Sequence, residues 1–414
     1  MKIATTATTD VRAHVILECY EDLIDELGVD PDLLIVYCSA DCDLEDITRK
    51  LRSNTPQLAL HGGTSCMGAM TQFGLASQEG SGLAMMGIAD PLGSYGVGAA
   101  PIGDDPVQAA QAAITLALEH ADCPGEVPAM VWLTSAPGCE ELLISGIGDV
   151  LGEDVPIAGG SSADNTVSGE WKQFAGDSVY DNAVVVTALF PSTEVMFAFH
   201  SGYEPTEAKG IITKAGGYEA TTNKGIATEA SQRTLIEINC RPAATVYNEW
   251  VDGAISEQCE QGGSILALTT LHPLGRVAGY IGDVPYYQLS HPDSVNPEGA
   301  ITMFSDINSG DEVVLMHGTI DSLITRAGRV ATSAMETSLA DSREIAGALV
   351  VYCAGCMLTV QERLDEVVDS FREALPDTPF LGTFTFGEQG CFLSGENRHG
   401  NLMISVLLFT KDTD

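Results

Sequence analysis

Two cysteines at C-x-x-C spacing, Cys353 and Cys356, close the apolar run ALVVYCAG. A thiol at a strand end just ahead of a helix has a lowered pKa, so the pair suits a redox switch. Neither Trp nor Pro flanks it, and both residues are read first as small structural ones. His61, His317 and His399 lie at the ends of apolar runs, where an imidazole can be a structural hydrogen-bonder or a haem or metal ligand. His399 follows Arg398, a pair suited to holding a carboxylate. No Asp/Asn loop has calcium spacing, no Cys/His couples repeat in a zinc pattern, and no G-x-S-x-G or H-E-x-x-H occurs. No catalytic residues and no metal ligands are assigned.

Gly-rich loops supply the remaining candidates. Gly159, Gly160, Ser161, Ser162 and Asn165 form one, and Gly382, Thr383, Gly387 and Glu388 another. Ligands of open α/β sheets sit beyond the carboxyl ends of strands, where glycine lets backbone N–H groups approach. Glu388 would meet an amine and Arg398 a carboxylate, so the pair suits a small zwitterion such as an amino acid. Arg241 is a further candidate clamp, because arginine is scarce beside so many acids.

The elements that must position these residues form a unit that appears three times. A buried strand, an amphipathic helix and a second strand with a Gly-rich end recur as 33–65, 129–162 and 348–390, each followed by another apolar strand. Each copy is preceded by a strand and helix, led by IATTAT, YGVGAA and VVLMHG. In the third copy Val360, Leu364, Val367, Val368, Phe371 and Leu375 share one helical face, with Thr359 and Glu362 spaced as a capping box. A different region, 201–310, interrupts the series. The expected fold is α/β: repeated strand-helix-strand units forming mixed sheets with helices on their faces, in two modules, 1–200 and 201–414.

In order along the chain, AMVWLTSAPG, PIAGGSSADN and NAVVVTALF resemble the amino-terminal module of the FIST sensory family. CRPAATVYNEW, HPLG, VVYCAG, LGTFTFGE and RHGNLMISVLLF resemble its carboxy-terminal module. The resemblance implies an intracellular sensory protein that binds a small ligand, an amino acid among the candidates, and signals through a separate partner protein. It offers haem as a cofactor and nitric-oxide sensing as an alternative. A small-molecule enzyme, or a thiol switch at Cys353 and Cys356, is the other. The chain departs from the family pattern at Cys356, where an arginine is usual, and in the loop GGTSCMG, which lacks the Gly-Glu pair of Gly387 and Glu388.

Composition narrows the partners. Fifty-eight acidic against 19 basic side chains give a net charge of −39, a field that repels nucleic acid and anionic membranes. At 414 residues the chain has room for two or three domains of roughly 150 residues. No apolar stretch reaches the ~18–20 residues of a membrane span, and MKIATTATTD has no secretory core, so a cytoplasmic protein is expected. The acids are scattered along the chain, as on a surface solvated for high salt. Because like charges repel less when screened, the melting temperature should rise as salt goes from near zero to molar. A flat or falling calorimetric Tm over that range would remove this reading of the charge.

Overall fold

In the computed structural model, residues 1–55, 58–216, 232–337 and 344–411 are described. The Gly/Thr/Lys-rich stretch that opens the 201–310 region lies partly outside them, at 217–231.

The repeated unit is real, and its topology is the same each time. The first contains strands Lys2–Thr8, Leu33–Cys38, Ala59–Thr64 and Leu83–Ala89, in the sheet order first, fourth, second, third. The second has the same order with Ser94–Pro101, Met130–Ser135, Ile157–Ser161 and Ala183–Phe190. The third has it with Val195–His200, Ile345–Cys353, Phe380–Thr385 and Ile404–Thr410. Within each unit the second and third strands pair in parallel and the other pairs are antiparallel. A helix precedes and another follows the second strand: Ala13–Leu27 and Leu44–Asn54, Pro106–His120 and Glu140–Leu151, Ile320–Glu336 and Leu364–Ala374.

The units are tied by a cyclic exchange of hairpins. After its third strand each unit makes a two-stranded hairpin that does not join its own sheet. Gln173–Ala175 and Ser178–Tyr180 of the second unit extend the first sheet. Glu388–Cys391 and Asn397–Gly400 of the third extend the second, and Ala69–Thr71 and Gly74–Ala76 of the first extend the third. The third-strand edge left open by each unit is thus paired by another, which satisfies backbone groups that would otherwise be buried without partners.

Strand side chains alternate between two cores. Leu33, Ile35 and Tyr37 join Met130, Trp132, Leu349 and Val351 in a cluster common to all three sheets. Leu34, Val36 and Cys38 pack on Tyr20 and Leu23 of their own unit's helix. With both faces buried, the strands read as uninterrupted apolar runs. The common core carries one polar thread. The Tyr37 hydroxyl accepts from Trp132 Nε1 at 2.9 Å and meets Thr134 Oγ1 at 2.8 Å. His61 lies 2.8 Å from Thr134 on one ring nitrogen and 2.8 Å from Thr187 on the other.

Two expectations are corrected. VVLMHG is not the leading strand of the third unit. That role belongs to Val195–His200, and VVLMHG (strand Glu312–His317) lies in a separate nine-stranded sheet inserted ahead of helix Ile320–Glu336. A short apolar run fits either sheet equally well by pattern. The Thr359–Glu362 capping box is also absent. The Thr359 hydroxyl donates to the Gly355 carbonyl, and the helix begins at Leu364 after a 3-10 turn, with its predicted apolar face buried as expected.

The exchange makes a seam that can be tested. Gly62 faces Phe174 of the exchanged hairpin, and a Cβ there would lie 2.1 Å from the Phe174 ring and 2.6 Å from the Val36 carbonyl oxygen. Gly62→Ala should lower stability in urea by about 1–3 kcal/mol, the usual cost of overpacking. Gly103→Ala, which meets nothing within 4 Å, is the neutral control. Equal midpoints for both variants would contradict the seam.

Candidate functional site

Helix Glu140–Leu151 follows the second unit's central strand and opens with two adjacent acids, where the N–H groups of the first turn favour negative charge. Glu140 is fully buried. Its Oε2 accepts from Arg233 Nη2 at 2.8 Å and its Oε1 from Ser161 Oγ at 2.7 Å. Arg233 also donates to Glu141 at 2.7 Å and, through Nε, to Asp306 at 3.1 Å. The Asp306 amide returns a bond to Glu141 at 2.8 Å. His399 stands 3.9 Å from Glu140, with one ring nitrogen 3.3 Å from the Phe304 carbonyl and the other 3.3 Å from Gln389 Nε2. Gln389 in turn donates to Ser161 at 3.2 Å. One buried guanidinium therefore gathers carboxylates from the second unit and from the inserted region.

Burial would raise the Glu140 carboxyl, but neighbouring His399 and Arg233 and the bonds from Arg233 and Ser161 outweigh it and hold it at about 2. Asp306 moves the other way, pushed up by burial and by Glu141. Above this lattice opens a groove of about 1120 Å³ between helix Glu140–Leu151, hairpin Leu274–Ser290 and hairpin Glu388–Gly400. Glu141, Asp306 and His399 line its floor, and Arg276, Gln288 and Arg398 its sides. Arg276 is bonded to Asp311 at 3.3 Å, but its buried Nε has no partner among the described residues.

The Gly-rich loops do converge, and they close on one another. Ala163 N–H donates to Thr64, Cys66 N–H to Phe384, Ser161 N–H to Gly387 and Phe386 N–H to Ser161, at 2.8–3.1 Å. Gly160 and Gly387 are needed for close approach: a Cβ would lie 2.4 Å from Thr385 in one and 2.4 Å from His399 in the other. Gly159 packs on the Leu133 backbone, and Gly382 on Met70. Ser162 and Thr383 are buried, each with a side-chain oxygen that has no partner among the described residues. Asn165 is exposed and joins Met67 N–H to the Gly80 carbonyl. These segments are joints between units.

Glu388 and Arg398 do not share a cavity. Glu388 is fully buried, accepting from Thr385 Oγ1 at 2.8 Å and Met403 N–H at 3.0 Å, and burial pushes it up to about 8. Arg398 is exposed at the groove rim, paired with Glu396 at 3.0 Å. Arg241 is a surface partner of Glu249. Cys353 and Cys356 lie beneath helix Ile320–Glu336, in the third unit's core. Glu140, Glu141, Arg233 and Asp306 were missed by the sequence reading. The abundance of acids hides the first two, and only the scarcity of arginine points toward Arg233.

Glu140, Glu141 and His399 bring ligand atoms within 4.8 Å of one another, as a metal would require. The Arg233 guanidinium already sits on both carboxylates and supplies the positive charge, so the set does not fit a metal ion. Haem fits no better. Both nitrogens of His61 and of His399 face partners, and His317 is exposed and stacked on His272.

A family model for the FIST N domain matches residues 32–241, and one for the FIST C domain matches 243–391. The chain belongs to the FIST family of sensory domains. No curated protein matches it. Among solved structures, cyanuric acid hydrolase from A. caulinodans aligns with 10% identity and a TM-score of 0.36 over 99% of both chains. PurLQS from Thermotoga maritima aligns with 8% identity and a TM-score of 0.25, over 77% of this chain and 73% of that one. Likeness at that level carries no functional argument. No helix of the described residues is long and apolar enough to cross a membrane.

Removing one partner of a buried ion pair leaves the other charged and unpaired. Arg233→Met should therefore cost about 3–5 kcal/mol in urea denaturation, and Glu140→Gln/Arg233→Met less than that. Glu140 ionises at about 2 in the fold against an ordinary 4.5. Its contribution is present above pH 4.5 and is lost as pH falls toward 2. Glu140→Gln should flatten the stability profile in that window. An unchanged slope would mean that the lattice does not hold the carboxylate.

Proposed function

We propose that this protein senses a small amine-bearing ligand, an amino acid in the simplest case, in the groove above Glu141, Asp306 and His399, and signals through a separate partner protein. The observation behind this reading is the placement of the groove. Its floor and sides come from both family-matched segments, so a ligand there bears on both at once. Its chemistry is mixed in the sense an amino acid requires. Carboxylates dominate the lining and suit an ammonium group, while Arg398 and Arg276 suit a carboxylate. The two charges of a zwitterion need opposite partners when taken from water.

The compartment follows the same line of reasoning. All eleven cysteines are free, as in a reducing cytoplasm, and nothing in the charge favours a nucleic-acid or membrane partner. Sensing fits the site better than catalysis, because Glu140, Glu141 and Asp306 are locked in ion pairs with Arg233.

The test is calorimetric titration of an amino-acid and amine panel. A ligand found with wild type should bind Arg398→Ala and Arg276→Ala more weakly by about 1–3 kcal/mol, the value of a lost hydrogen bond to a charged group. Glu388→Gln, whose side chain lies outside the groove, should bind as wild type does. Equal affinity for all four proteins would move the site elsewhere.

A further inference from the structure

Beneath helix Ile320–Glu336 lies a second polar centre that the groove does not use. Arg326 is 1% exposed. Its Nη1 donates to the Leu402 carbonyl at 2.9 Å, and its guanidinium sits 5.4 Å from the ring centres of both Tyr203 and Tyr352. Nε and Nη2 have no hydrogen-bond partner among the described residues. No described carboxylate forms an ion pair with Arg326. A buried guanidinium with two idle donors calls for an anion.

Cys356 is placed to supply one. It is 0% exposed in the helix Ala354–Thr359, with Cys353 at the end of the preceding strand, and the Tyr203 hydroxyl lies 3.6 Å from its Sγ. Burial alone would raise the Cys356 thiol. The hydrogen bond from Cys353, the positive charge of Arg326 and the Tyr203 hydroxyl outweigh that and bring it down to about 6. Cys353 is pushed well up, first by burial and then by its bond to Cys356. The two thiols are therefore unequal, Cys356 drawn toward the thiolate and Cys353 held toward the thiol. Burial raises Glu388 to about 8, which disfavours its charged form beside Arg326.

We propose that Cys356 is a peroxide-reactive nucleophile, resolved by Cys353 into a disulfide, in a centre completed by Arg326 and Tyr203. Burial excludes bulky disulfides and selects a small, uncharged oxidant such as hydrogen peroxide. Tyr203, whose hydroxyl reaches Cys356, also forms part of the wall of a cavity of about 280 Å³ lined by His200, Tyr286 and Phe392.

In the first step the Cys356 thiolate takes one peroxide oxygen and the O–O bond breaks. The hydroxide that leaves is neutralised by the proton Cys356 gave to solvent when it ionised, with the free Arg326 N–H groups facing the developing charge. Cys356 is then a sulfenic acid, two electrons more oxidised. In the second step Cys353 sulfur attacks Cys356 sulfur and sheds its proton to the departing hydroxide. One disulfide and two waters result from two thiols and one peroxide.

The experiment treats the reduced full-length protein with hydrogen peroxide, quenches at intervals with an alkylating label and maps all eleven cysteines by mass spectrometry. Cys356 should be consumed about 10-fold or more faster than exposed Cys240, with a rate that halves near pH 6, to give a 353–356 disulfide. In Cys353→Ser, Cys356 should stop at a sulfenic acid, which dimedone added together with denaturant traps. Arg326→Lys should slow the first step by about 10-fold while leaving the circular dichroism spectrum unchanged. The proposal is overturned if wild-type Cys356 reacts no faster than Cys240, or if folded Cys353→Ser yields no trappable sulfenic acid. Should either variant fail to fold, the comparison of rates within the wild-type chain decides alone.

Discussion

Everything in this fold depends on a strand edge that no unit can pair by itself. Each repeat ends its sheet on its third strand, a buried strand with one side of its backbone ladder open. Burying those groups unpaired would cost several kcal/mol in total, since each lost bond exposes a desolvation penalty of about 1–3 kcal/mol. A neighbouring repeat supplies the missing strands, and the same debt passes round all three. Cyclic exchange is what holds the sheets face to face around one apolar core, and it draws the Gly-rich strand ends together as joints.

That closure decides where a ligand can go. The natural crevice of an open α/β sheet, beyond the strand ends, is sealed by backbone hydrogen bonds between the loops. The groove of about 1120 Å³ opens instead where the inserted region leans against the second unit. There a chain with few cations places Arg233 inside, holding three carboxylates of two segments in register. The Arg233 lattice contributes less to net stability than to geometry, because the cost of desolvating its charges offsets much of their attraction. What it fixes is the relative position of the groove's two sides.

The repeat was legible because its signals are local: apolar runs, helical periodicity and Gly-rich ends recur in one order. The family modules were legible for the same reason. Partner choice between sheets was not. VVLMHG has the pattern of a leading strand, and nothing in its own residues says that Val195–His200 takes that place across the inserted region. The glycines of 159–160 and 387 were legible as close-approach positions, but whether a ligand or a neighbouring loop does the approaching depends on the exchange. Glu388 shows the limit most plainly. Its charge type suggested a ligand contact, whereas its side chain is turned into the core beside Thr385 and Met403. Cys353 and Cys356 were legible by spacing. Arg326, which lies in another helix and brings its positive charge to Cys356, was not.

The hairpin Glu388–Gly400 joins the two polar centres. Alternate residues of a strand face opposite sides, so Glu388 and Gln389 look into different neighbourhoods. Glu388 faces Met403 and feels the charges of Cys356 and Arg326, while Gln389 and its cross-strand partner His399 face Ser161 and the Glu140 lattice. The hairpin is covalently part of the third unit and hydrogen-bonded into the sheet of the second. A ligand that moves His399 therefore loads the two strands that also fix Glu388. A change of charge at Cys356 acts on Glu388 from the other side. Two centres with separate chemistry are carried by one short element, and that element is among those the cyclic exchange cannot do without.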